Sequence, residues 1–61
     1  MIKIEKVGSL YTANATPPHV RQPWSTATPM GVSEIMTELR SRGGHQTDIA
    51  DAFYEADPEW L

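Results

Sequence analysis

Four of the five prolines fall between Pro17 and Pro29, and they divide this 61-residue chain into two parts that cannot share one kind of secondary structure. Proline fixes φ, donates no backbone hydrogen bond and drives the residue before it out of the helical region. Residues 16–29, TPPHVRQPWSTATP, are therefore expected to be extended or polyproline-like. Regular structure must lie on either side of them. A loop of this length points to function or to disorder. Trp24 argues against disorder, because one indole is a large share of the apolar surface of so short a chain. Either it folds back over the core and pins the loop, or it stands out as an anchor for a partner.

Before the prolines, IKIEKV (2–7) begins with strict alternation: Ile2 and Ile4 point one way, Lys3 and Glu5 the other. Gly8-Ser9 suits a two-residue type II′ turn, with glycine supplying the positive φ. Leu10-Tyr11-Thr12-Ala13, rich in β-formers, is the returning strand. Such a hairpin is marginal alone in water and must pack on something.

After the prolines come two amphipathic patterns. Val32, Ile35, Met36 and Leu39 follow helical spacing, with Ser33 as the expected N-cap and Glu34 in the first turn. Arg40 and Arg42 suit the negative end of the helix dipole, and Gly43-Gly44 is the stop. A second helix is expected from an N-cap at Thr47, with Ile49, Ala52, Phe53 and Ala56 as its apolar stripe. At about 100° per residue, Asp48, Asp51 and Glu55 fall within about 60° of one another on the opposite side. Asp57-Pro58 ends this helix or opens one more turn, which would place Trp60 as a lid on the core.

The reading is a single small α+β domain over residues 1–61. It has a hairpin (1–15), an ordered Pro-rich loop (16–31), a helix (32–43) and an acidic helix (46–57). Its expected core is Ile2, Ile4, Leu10, Val32, Ile35, Met36, Leu39, Ile49, Phe53 and one or both tryptophans. A chain this size buries only roughly 60% of its unfolded surface, so its stability is marginal. Disulfides are excluded, since there is no cysteine. The N-terminus has no apolar stretch of a secretory signal, and no run is long enough to span a membrane. A reducing cytoplasm is the expected compartment.

Charge is unevenly spread over a net of −3. Residues 43–61 hold Asp48, Asp51, Glu55, Asp57 and Glu59 and no Lys or Arg. That end should repel phosphate and attract basic surfaces, unless it serves only to keep the protein soluble. Catalysis finds little support. His19 and His45 lack a neighbour that would make either a convincing base, and no strand–turn–helix nucleophile motif occurs. A carboxylate stripe facing solvent lacks the burial that tunes acid–base groups. His45 with Asp48 is too sparse a set for a metal. No enzyme activity, cofactor or metal is expected.

Two binding readings remain. SEIMTELRSRGGHQTDIADAF resembles the first two helices of a helix-turn-helix, which suggests a regulatory or structural protein. The residues that follow, YEADPEWL, are acidic and would oppose phosphate contacts. The other reading is an interaction protein. Carboxylates about 5–6 Å apart along one helix face can occupy a Lys/Arg groove that otherwise holds nucleic acid. Asp48, Asp51, Glu55, Asp57 and Glu59 would supply attraction, and Trp24, Arg21 and His19 a less polar anchor.

Two stretches, SLYTANATPPHVRQPW (9–24) and GGHQTDIADAFYEADPEW (43–60), resemble small proteins of phages and mobile elements, and among these the anti-CRISPR inhibitors of type I systems. The resemblance implies a bacterial host cytoplasm, a monomer or weak dimer, and a partner that is an RNA-guided surveillance complex whose target DNA binding is blocked. Asp48, Asp51 and Glu55 would then meet basic residues that otherwise engage DNA. These inhibitors share no common functional residue, so no role is carried over position by position.

Overall fold

The computed structural model describes residues 1–59; the expectation for Trp60 lies outside them. Five elements follow in order: β1 (Ile2–Val7), β2 (Leu10–Ala15), β3 (Trp24–Ser25), α1 (Val32–Ser41) and α2 (Gln46–Ala56). They form the expected small α+β fold, an antiparallel hairpin extended by a short strand and followed by two helices. The sheet order is β1-β2-β3.

The hairpin closes as its sequence requires. Gly8 takes φ 64°, no described non-glycine residue has a positive φ, and Val7 pairs with Leu10 across the two-residue turn. That combination is type II′. The register continues without a bulge to Ile2↔Ala15, so β2 is two residues longer than its β-formers alone suggested.

Register also decides what is inside. Directly paired residues share a face, so Ile4↔Ala13 and Ile2↔Ala15 carry Tyr11, Ala13 and Ala15 inward. Leu10 lies one step out of phase. It was expected in the core, but it is exposed beside the exposed Val7. The hydrophobic centre consists of Ile4, Tyr11, Ala13, Ala15, Val20, Ile35, Leu39, Ile49, Ala52 and Phe53. Ile2, Trp24, Val32 and Met36 pack around its rim, half-buried. Small inward residues on β2 leave room for Phe53, whose ring meets Tyr11 edge-on at 5.2 Å and 81°.

The Pro-rich segment is pinned at several points. Val20 is buried within the core. Thr16 N–H donates to Met1 O, Arg21 N–H to Arg42 O, and Thr26 N–H to Ala13 O. Tyr11 and Met30 exchange backbone hydrogen bonds at 2.9 and 2.8 Å. The Pro17–Pro18 peptide bond is cis.

Both helices begin where their expected ranges placed them, at Val32 and Gln46, but not on the expected caps. The α1 N-cap is Gly31, not Ser33, and its N–H donates to Glu34 Oε1 at 3.4 Å. The α2 N-cap is His45, not Thr47. Neither makes a side-chain cap bond. The chain direction imposed by the Met30 bridge and by the Gly43-Gly44 turn places these entries, overriding local preference. Gly43 takes φ 93°, and Gly43 and Gly44 N–H close α1 on Arg40 and Leu39 carbonyls. The helices lie against the sheet, α2 beside β1 and α1 beside β2, and so the apolar stripes of both face it.

Candidate functional site

The helical phase of α2 buries Ile49, Ala52 and Phe53. It turns Asp51 and Glu55 out to solvent and leaves Asp48 half-exposed. None of these three carboxylates has a hydrogen bond or ion pair among the described residues. The arginines that could neutralise them are engaged elsewhere, and neither Lys3 nor the Met1 ammonium, which is bound to Thr16, forms an ion pair with them. Arg42 pairs with Glu38 one helical turn back, and its guanidinium stands 5.2 Å from the Trp24 ring. Arg40 Nε donates to Gln46 Oε1 at 2.8 Å. The Arg21 side chain lies over Gly43, within about 3.3 Å of where a Cβ would be. The acidic stripe therefore faces outward as an open field.

Asp57 does not belong to that stripe. Its Oδ2 accepts from Lys6 Nζ at 3.1 Å and from the Tyr11 hydroxyl at 3.3 Å, and its Oδ1 accepts the Glu59 N–H at 3.1 Å. The Lys6 hydrogen bond, followed by that of the Glu59 N–H, holds the Asp57 carboxyl below its ordinary range. In turn the bond to Asp57 raises the Lys6 ammonium above its ordinary value. Asp57, expected among the docking residues, is thus a structural clasp between the hairpin and the end of α2. The Asx-type bond to Glu59 fits the further turn that Asp57-Pro58 suggested. Glu59 itself is exposed and adds to the field around Lys6.

The loop residues part company. His19 is exposed and joins Asp48, Asp51 and Glu55 around a hollow of about 190 Å³, floored by Met1, Ile2 and Ala52. Arg21 and Trp24 turn instead to the end of α1. Trp24 is half-buried, paired with Ala15 and stacked by Arg42, so the indole pins the loop. Of the expected anchor, only His19 shares the acidic face.

A second hollow, about 370 Å³, adjoins the first. Met1, Ile2, Lys3 and Ile4 line it from the sheet, and Ala52 and Glu55 from α2. This part of the surface was not expected from the sequence. Its signal was the even-numbered phase of β1, which sets Ile2 and Ile4 under α2. Among the described residues no group of three or more His, Cys, Asp or Glu is placed to hold a metal ion, and no helix is long and apolar enough to cross a membrane. Comparison of the chain with protein-family models, with characterised proteins and with solved structures finds no match.

Proposed function

We propose that this protein is a non-enzymatic interaction domain that binds a basic, nucleic-acid-handling protein surface through the acidic face of α2. The supporting observation is that Asp48, Asp51 and Glu55 lie on one exposed face with no cation partner among the described residues. Unpaired like charges held together on a rigid helix repel one another, and that cost is recovered when a basic groove docks on them. The rate of such docking rises with electrostatic steering and falls with salt. By the sequence resemblance, the partner is a type I surveillance complex, and occupation of its basic groove excludes target DNA.

The test is competition. A purified type I surveillance complex is mixed with labelled target duplex and increasing amounts of this protein. Duplex binding should fall, and the protein alone should shift no DNA in a gel. The triple variant Asp48→Lys, Asp51→Lys, Glu55→Lys should keep the circular dichroism spectrum and lose the competition. A triple variant that competes as well as the parent removes the acidic face from the mechanism. Salt-sensitive DNA binding by the parent would point to the helix-turn-helix regulator instead.

A further inference from the structure

The geometry points to β1 as the acceptor edge for a basic extended peptide, which adds as a fourth strand beneath the acidic flank of α2. This inference rests on the reading of α2 as a docking face and names the form its partner takes.

Among the described residues the sheet order leaves β1 with one unoccupied side. Met1 and Thr16 exchange both backbone hydrogen bonds, at 2.6 and 2.7 Å. In an antiparallel ladder such pairs alternate. The odd residues of β1 therefore bond to β2, and Ile2, Ile4 and Lys6 aim their N–H and C=O groups away from it. Among the described residues β1 pairs with β2 alone, and no turn or loop backbone bond reaches those groups. The opposite side of β2 is fully taken, by β3, Thr26 and Met30. Edges are usually blunted by proline, a bulge or free lysine. Here the register runs unbroken over six residues; Lys6, in line with the edge groups, is drawn to Asp57, and the exposed Lys3, unpaired among the described residues, alternates to the face opposite Ile2 and Ile4.

What lies over this edge selects the strand. The two adjoining hollows share Met1, Ile2, Ala52 and Glu55, and together they lie between the first half of β1 and α2. In an antiparallel addition, the residue opposite Ile4 points its side chain to the same side as Ile4, under α2. A long basic side chain there lays its stem on Ile2, Ile4 and Ala52 and brings its head to Asp51 and Glu55. An acidic or bulky apolar strand finds no such match. A second copy of this chain is a poor occupant, since β1–β1 pairing sets the acidic flanks of two α2 helices against each other.

The probe is a blocked octapeptide of alternating lysine and valine, titrated into the ¹⁵N-labelled protein. Amide shifts and slowed hydrogen exchange are expected at Ile2, Ile4 and Lys6, with affinity falling as salt rises. The same peptide methylated on the backbone nitrogens of its lysines keeps its charge but cannot donate to the edge, and should bind at least about tenfold more weakly. The variant Asp51→Asn, Glu55→Gln should also weaken the parent peptide about tenfold. If the methylated peptide binds as well as its parent, strand addition is wrong while the acidic face stands. If the parent peptide does not bind, or binds the double variant equally well, the inference fails together with the charge reading beneath it. Edge protection in the protein alone, with a dimer in sedimentation, would assign the edge to a second copy and overturn the proposal.

Discussion

The Tyr11 hydroxyl donates to Asp57 Oδ2 at 3.3 Å, joining two residues 46 positions apart. Lys6 meets the same oxygen, so one carboxylate ties both strands of the hairpin to the end of α2. The Tyr11 ring, edge-on to Phe53, is buried beneath this clasp. The apolar body of the side chain thus serves the core and its polar tip serves the closure.

Stability should follow the ionisation of this clasp. Asp57 has a depressed folded pKa, so its contribution is present above the unfolded value of 3.8 and is lost as pH falls through the folded one. Lys6 has a raised pKa, so its contribution is present below 10.5 and is lost as pH rises past the folded value. Asp57→Asn should lower the melting temperature at neutral pH. The gap from the parent should narrow toward both acid and alkali. Thermal melts across pH check this, and a gap constant with pH would show that the ionised pair contributes nothing.

Val20 should be the residue that holds the Pro-rich segment down. It is 2% exposed, among the most buried side chains, and it stands between cis-Pro18 and Arg21. Val20→Ala should cost about 2 kcal/mol of unfolding free energy and speed protease cleavage within residues 16–29. A domain this size holds only about 3–9 kcal/mol in total. By the same logic Phe53→Ala, at about 3–5 kcal/mol, should leave much of the population unfolded. Urea unfolding and limited proteolysis measure both.

Gly44 should tolerate substitution less well than the left-handed Gly43. A Cβ on Gly44 would stand 2.9 Å from the Leu39 carbonyl oxygen, which is backbone and cannot step aside, and 3.4 Å from Ile49 Cδ1. Gly44→Ala should destabilise by about 2–3 kcal/mol. Gly43→Ala has left-handed strain of about 1–2 kcal/mol, but it meets only the flexible Arg21 side chain. Chemical denaturation of the two variants should rank them in that order.

The faces of β2 should be readable by substitution. Leu10→Thr, on the exposed side, should change stability by less than about 0.5 kcal/mol. Ala15→Leu, at a fully buried site opposite Ile2, should cost about 1–3 kcal/mol through overpacking. Equal effects at the two positions would contradict the register.

Helix phase made the acidic stripe legible without coordinates, because a 3.6-residue repeat fixes which side chains share a face. Asp48, Asp51 and Glu55 needed only that rule. Leu10 was misplaced although the same kind of rule covered it: across a two-residue turn, partners sum to a constant, and Ile4 faces Ala13. The phase of β1 likewise put Lys6 beside Ile2 and Ile4, a cation on an inward face that needs a carboxylate. Which carboxylate it finds was not legible, since five follow residue 43 and only chain folding brings Asp57 there.

Periodicity, proline chemistry and the glycine turns are local, so the chain by itself determined a hairpin, an extended middle and two amphipathic helices. It also determined an acidic stripe on the second helix. The third dimension decided the rest: that Asp57 is consumed by Lys6 and Tyr11, that Trp24 stacks on Arg42 while His19 joins the carboxylates, and that the stripe borders an unpaired strand edge. These relationships connect residues far apart along the backbone. Their geometry is set by how helices settle on the twisted sheet, and no pattern of nearest neighbours encodes that.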